Sequence, residues 1–335
     1  MRTGPLALTL GDPAGVGPEI VVKAWSELRA SGPAFMAVGD LQSLASAPGA
    51  VAGNLRRVTT PEEAQRVFPE ALPVLDLPLR APVVAGQPSA AAAPAIVQWI
   101  ETAVGLALRG DVSGVVTAPI AKAPLYEAGF KFPGHTEFLG ELTQSASYDG
   151  ARGPIMMLTA ADLRVTLVTV HEPIARVSGR LSVEKIVNAG LVTAQALRRD
   201  FGVREPRLAV AGLNPHAGES GGIGREEVEV IEPAIRALRD LGVDAAGPYP
   251  ADTLFPEAMR ALYDAALCMY HDQALIPVKM LDFWGGVNVT LGLPIVRTSP
   301  DHGTAFDIAG RGVARPDSLI AAIGLADEIG RQRAA

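Results

Sequence analysis

Cysteine and aromatic residues are scarce in this chain: of 335 residues one is cysteine, and 5% are Phe, Trp or Tyr. A single thiol excludes an intrachain disulfide framework, so stability has to come from buried apolar surface. That thiol, Cys268, lies in the apolar run AALCMY, with no neighbour that would depress its pKa, and reads as a buried inert group rather than a nucleophile. Positive charge is also in deficit. The formal charge is −7 and no block of like charges occurs, which argues against a nucleic-acid surface. Any anionic ligand must then be met by a local cluster of donors. The opening MRTGPLALTLGDPAG lacks the basic region, long apolar core and small-residue cleavage site of a signal peptide. No apolar stretch reaches the roughly twenty residues of a membrane span. These absences predict a soluble, cytoplasmic protein that engages neither membrane nor nucleic acid.

What is present is an ordinary apolar supply, 48% of residues, in a chain long enough for two lobes. Short apolar runs alternate with longer stretches of helical period, the pattern of an α/β fold. Strands are expected at LALTL, FMAVGD, GVVTAP, VTLVTV, RLAVAG, AALCMY and NVTLGL. Helices are expected over 18–30, 94–109, 183–199 and 226–241. In the second of these Ile96, Ile100, Val104 and Leu108 recur on one face. Helices should cover both faces of the sheet. The Pro-, Ala- and Gly-rich segment 80–95 reads as an irregular excursion, and no internal repeat is evident.

Three of the five histidines close or interrupt strand-like runs: His171 in LRVTLVTVHEP, His216 in RLAVAGLNPHAGE and His271 in AALCMYHDQ. Strands of an open α/β sheet bring their carboxyl ends around a shared crevice, so three such imidazoles can converge on one metal ion. The loop GDPAGVGPEI joins the first strand to the first helix. It lacks both the Gly-Lys-Ser/Thr of a Walker loop and the Gly-x-Gly-x-x-Gly dinucleotide spacing. Close approach to a ligand and tight strand-to-helix packing explain it equally well. In PGHTEFLGEL, His135 and Thr136 precede a helix; they could bind phosphate or carboxylate, or Thr136 could merely cap the helix. The densest polar stretch runs from Pro248 to Gly312 and holds Asp252, His271, Asp272, Lys279, Asn288, Arg297, Asp301, His302 and Asp307. Lysine, asparagine and arginine amid apolar residues suggest donors aimed at an anion in a pocket; ion pairing with nearby aspartates is the plain alternative for Lys279 and Arg297.

In this order LTLGDPAGVGPEI, GHTEFL, GLNPHAGE, GPYPADTLF, YHDQALIPVK and VNVTLGLPIVRTSPDHGTAFDIAG closely resemble the 4-hydroxythreonine-4-phosphate dehydrogenase (PdxA) family of pyridoxal phosphate biosynthesis. The resemblance runs from about Leu6 to Gly324. More broadly, GDPAGVGPE and DHGTAFDIAGRGVARP are similar to the GDGIGPE and HGSAPDIAGKGIANP signatures of isopropylmalate dehydrogenases. This implies the two-lobed α/β/α isopropylmalate dehydrogenase-like fold, which binds a dinucleotide without a Rossmann fingerprint. One lobe would comprise 1–125 with 285–335, and the other, carrying metal ligands and dimer interface, 126–284.

The resemblance implies metal ligation by His171, His216 and His271, and substrate contacts from His135, Thr136, Lys279, Asn288 and Arg297. It implies cofactor contacts at Gly11, Asp12, Gly15, Gly17, Asp301, His302 and Asp307, and catalytic roles for Lys279 and Asp252. The expected activity is NAD- or NADP-dependent oxidation of 4-phosphohydroxy-L-threonine to 2-amino-3-oxo-4-phosphooxybutanoate, which decarboxylates to 3-amino-2-oxopropyl phosphate. One divalent cation per subunit, zinc, magnesium or cobalt, would assist. A homodimer is implied, with the active site at its interface and metal ligands from both subunits. Where many relatives have glycine after HDQ, this chain has Ala274 followed by Leu275 and Ile276; Lys279 keeps its place in ALIPVK. That departure leaves open a dehydrogenase of threonate or erythronate 4-phosphate. A three-histidine zinc hydrolase and a catalytically silent metabolite-binding protein are the readings from other classes.

Overall fold

The computed structural model describes residues 4–51 and 53–335. The chain divides into two compact units, Met1–Ser147 with Pro294–Ala335, and Tyr148–Leu293.

The first unit carries β1 (Leu6–Thr9), β2 (Phe35–Gly39), β3 (Leu55–Arg57), β4 (Leu72–Asp76) and β5 (Val115–Thr117). The second carries β6 (Ile155–Ala160), β7 (Leu163–Leu167), β8 (Arg207–Ala211), β9 (Asp244–Tyr249), β10 (Ala265–Cys268) and β11 (Val287–Leu291); β12 (Arg297–Pro300) returns to the first unit. In the first unit the strands run β3-β4-β2-β1-β5-β12, every pair parallel. Every residue of β1 and β2 is buried, as in a parallel sheet covered on both faces. In the second unit the order is β11-β6-β7-β10-β8-β9, antiparallel up to β7 and parallel beyond it. Alternate residues of four neighbouring strands, among them Leu158, Val165, Cys268 and Ala211, form one core with Ala274 and Val278 of the His271–Leu281 helix. Cys268 is wholly buried there, and desolvation pushes its thiol above the ordinary cysteine range, so it is the inert group expected.

The expected strands all occur, within three residues at each end. Five strands lie outside those expected: apolar β6, Ile-Met-Met-Leu-Thr-Ala, and four whose composition contradicts a strand. β4 holds Pro73, β9 holds Gly247 and Pro248, β3 is an edge strand with two arginines, and β12 is Arg-Thr-Ser-Pro yet fully buried. The expected helices form at Gly17–Leu28, Ala93–Leu108 and Val183–Phe201; the fourth begins with a π-turn, Glu227–Ile231, before Glu232–Asp240. Two expectations need correction. Ala90–Leu108 does reach the length and apolarity of a membrane span, with mean hydropathy 1.4; half of that window is buried against β1, β2 and β5, as a core helix requires. Ile96, Ile100 and Val104 line its buried face, but Leu108, in its last turn, is 40% exposed because the helix runs past its support.

Candidate active site

The parallel order β7-β10-β8 puts the carboxyl ends of three adjacent strands side by side, and the three histidines follow them. His171 comes just after β7, His271 opens the helix after β10, and His216 lies in the loop after β8. The chain thus delivers the row of imidazoles to one sheet edge. His171 and His271 approach to 5.9 Å between ring centroids and line a pocket of about 440 Å³ with Glu172, Tyr270 and Asp272. His271 Nδ1 lies 2.7 Å from Asp272 Oδ1, a contact that fixes the ring and leaves Nε2 for a ligand. His216 does not line this pocket, and among the described residues no group of three metal-ligating side chains is assembled within one chain. The donor chemistry fits a divalent cation, and the set is two histidines here with the third apart.

His216 stands on unusual backbone. Residues His216, Ala217, Gly218, Glu219 and Ser220 all have left-handed φ, at 51°, 49°, 79°, 46° and 55°. Four are not glycine, and each such residue costs roughly 1–2 kcal/mol unless its surroundings hold it. Gly218 admits no side chain, because a Cβ there would lie 2.5 Å from the carboxylate of Glu227.

Among the anion-binding candidates of the first unit, Arg297 is buried while His135 and Thr136 are half-buried. Arg297 is 2% exposed, and its Nη2 donates to Thr117 Oγ1 at 2.7 Å. Burial lowers its pKa to about 10, opposed by the charge of Glu137, so it stays protonated at neutral pH. His135 opens the His135–Thr143 helix, and its Nε2 is buried without a hydrogen-bond partner among the described residues. Desolvation, and then the charge of Arg297, hold its imidazole well below the usual histidine range. It is therefore neutral at pH 7. Thr136 does not cap that helix; Gly134 occupies the cap position and no side chain bonds to the free N–H groups. The capping explanation for Thr136 falls away. In the second unit, Asn288 Oδ1 on β11 is another buried acceptor without a partner, and Lys279 Nζ lies 5.3 Å above the Phe283 ring. Asp252, in the short Ala251–Leu254 helix, is exposed.

The glycine-rich loop resolves toward packing. Gly11 has φ 69°, and a Cβ on it would lie 2.3 Å from Pro119 O; one on Gly17 would lie 2.1 Å from Leu10 O. The loop also meets the second motif the resemblance singles out, since Val16 N donates to Thr304 O and Gly15 approaches the same carbonyl. Glu19 accepts from Gly312 N and Ala314 N, while Lys23 donates to the carbonyls of both residues. A pocket of about 370 Å³ is lined by Gly15, Glu19 and Gly310 among others. Asp12 is buried, and burial raises its carboxyl above the ordinary range. Asp301 is partly buried, with its N–H on Ser318 Oγ, whereas His302 and Asp307 are exposed. The sequence reading missed Asp272, Thr117, Glu19 and Lys23 as supporting residues. A carboxylate directly after a candidate ligand, as in HDQ, was the available sign for Asp272.

Fold and site together define an α/β enzyme with a histidine-bearing sheet edge and a buried arginine near a desolvated histidine. Residues 32–326 match the model of the pyridoxal phosphate biosynthetic protein PdxA. The 4-hydroxythreonine-4-phosphate dehydrogenase of Caulobacter vibrioides is 69% identical over 99% of both chains. The crystal structure of the same-named enzyme from Klebsiella pneumoniae superposes with TM-score 0.86 at 40% identity, covering 98% of each chain. A terephthalate 1,2-cis-dihydrodiol dehydrogenase from Burkholderia xenovorans is more distant, with TM-score 0.63 at 32% identity over 98% of each chain. The chain belongs to the PdxA family of pyridoxal phosphate biosynthetic proteins, whose close relatives here are oxidoreductases.

Proposed function

We propose that this enzyme oxidises the C3 hydroxyl of 4-phosphohydroxy-L-threonine with NAD or NADP, giving a β-keto acid that loses carbon dioxide to 3-amino-2-oxopropyl phosphate. The observation that carries this reading is the row of His171, His271 and His216 on adjacent strand ends, in a chain 69% identical to a 4-hydroxythreonine-4-phosphate dehydrogenase. Arg297 supplies a fixed guanidinium for the phosphate, and neutral His135 and Thr136 add hydrogen bonds without further charge. Asn288 and Lys279 take the polar end of the substrate, and Lys279 carries the hydroxyl proton; Asp252 takes the acidic role that the resemblance implies. Asp272 holds the His271 ring so that Nε2 faces outward. His171, His216 and His271 would hold the divalent cation, zinc, cobalt or magnesium, which would supply Lewis acidity, and a bound nicotinamide would supply the hydride acceptor. The dinucleotide is assigned to the loop of Gly11, Asp12, Gly15 and Gly17 with Asp301, His302 and Asp307.

The homodimer and its shared site belong to the same reading. A single chain assembles two of the three imidazoles, and the outer face of the His271–Leu281 helix and the residues after it expose Ile276, Met280, Phe283 and Trp284. That face is assigned to a second copy of the chain in the cytoplasm.

Purified enzyme given NAD and 4-phosphohydroxy-L-threonine should generate the near-ultraviolet absorbance of NADH, falling to background after chelation. Threonate or erythronate 4-phosphate and a dihydrodiol carboxylate serve as competing substrates. Faster turnover of any of these would move the substrate assignment, and no NADH from any of them would refute the dehydrogenase reading.

A further inference from the structure

A buried hydrogen-bond chain runs behind the histidine turns of the second unit. The Thr169 hydroxyl, just before His171, donates to Met269 O at 2.7 Å, and Met269 N donates to Gln273 Oε1 at 2.6 Å. Gln273 Nε2 then donates to Gly212 O at 2.6 Å, at the base of the loop that carries His216. From the other side, Glu227 Oε1 accepts from the backbone N–H groups of Leu213 and Asn214, both at 2.7 Å, and its Oε2 accepts from Asn214 Nδ2 at 2.9 Å. Glu227 is 1% exposed and opens the π-turn. Neither Glu227 nor Gln273 touches the reacting groups; each meets backbone that leads to an imidazole.

We infer that Glu227 is a positioning residue for His216: its carboxylate, with Gln273 opposite, holds the left-handed turn so that the imidazole stands in place to receive a metal ion. The inference rests on the reading of His216 as a metal ligand. Asn214 Nδ2 also donates to Glu226 Oε2 and Ala217 N to Asn214 O, but His216 and Pro215 are exposed and five successive residues adopt left-handed backbone, so the buried Glu227 carboxylate is the anchor of the turn on the core. A carboxylate accepting three N–H donors from two consecutive residues fixes the point where the turn leaves the core. The π-turn places Glu227 beneath it: the amide of Gly218 belongs to the turn, and its Cα has no room for a methyl against Glu227.

The test uses the full-length enzyme stripped of metal and titrated with Zn²⁺ or Co²⁺ alone, in the parent, His216→Ala and Glu227→Gln. Glu227→Gln keeps the side chain's size but turns an N–H₂ toward the donors of Asn214. It should weaken metal affinity by about tenfold or more and alter the visible spectrum of the cobalt form. If affinity and cobalt spectrum match the parent while His216→Ala loses both, Glu227 only supports the fold and the inference is overturned. If His216→Ala itself binds as the parent does, the ligand reading fails and takes the inference with it. Should Glu227→Gln not fold, Gln273→Met cuts the tether on the other side and carries the same expectation and the same contradiction.

Discussion

The two candidate binding regions are built in opposite ways. Around Arg297 and His135 polar atoms are sequestered within one unit: Arg297 is 2% exposed, and His135 Nε2 is buried without a hydrogen-bond partner among the described residues. At the carboxyl edge of β7, β10 and β8 the imidazoles of His171 and His216 are exposed, and support comes from behind, through Asp272 and through the chain of Thr169, Gln273 and Glu227. His135 Nε2, buried with no hydrogen-bond partner among the described residues, keeps hydrogen-bonding capacity in reserve, since leaving such a group unmet costs roughly 1–3 kcal/mol. Exposed imidazoles on backbone tethered from behind are accessible to a further group. The first region lies within one unit, and the second brings two of the three imidazoles together within one chain.

Mutations sharpen this contrast. The largest effect is expected at Arg297. Arg297→Ala should lower kcat/KM for the phosphorylated substrate by about 10²- to 10³-fold, in line with the 2–5 kcal/mol for truncating one partner of a buried charged pair. Arg297→Lys should recover little, since the planar fork is lost. Near-parent steady-state kinetics of the alanine variant would take the anion out of this pocket.

A smaller effect follows from neutral His135. Burial and the Arg297 charge depress its pKa in the folded state, while the unfolded chain takes up a proton below about pH 6.5. Its contribution is therefore full above that pH and is lost as pH falls through it, by up to about 1.4 kcal/mol per pH unit. His135→Gln should remove this loss, so that denaturant melts of parent and variant diverge between about pH 7 and pH 5. Parallel stability curves would mean that His135 is not desolvated. The smallest effect concerns Ala274, the departure after HDQ. Its methyl is wholly buried in the core against β6, β7 and β10. Ala274→Gly should cost about 1–2 kcal/mol from helix propensity and a lost methyl, with relative kcat/KM among phosphorylated hydroxy acids unchanged. A shifted preference would show that this position governs substrate choice after all.

The sequence made the histidine edge legible because each imidazole follows an apolar run, and burial of both sheet faces makes such runs easy to see. It also separated Cys268 from any chemistry. β12 stayed hidden, since Arg-Thr-Ser-Pro has no strand pattern; Arg297 enters the interior on that strand, and the tertiary context overrode local propensity. Glu227 and Gln273 could not be read either. Their role exists only in hydrogen bonds to backbone that the fold brings near, such as Gln273 to Gly212 across two strands. The glycines of GDPAGVGPE admitted two explanations in sequence, and the close carbonyls of Pro119 and Leu10 account for Gly11 and Gly17 by packing.

The central claim is that the histidine edge becomes a metal site only when two chains combine. His216→Ala and His271→Ala enzymes, each inactive alone, can be unfolded together, refolded as a mixture and assayed for NADH formation and bound metal. The account predicts that the mixture recovers activity and metal that neither variant shows alone, because in a mixed dimer one site receives an intact His216 and an intact His271 from different chains. A mixture that forms mixed dimers yet stays as inactive and metal-free as its components would contradict it, and would place all three ligands of each site in one chain.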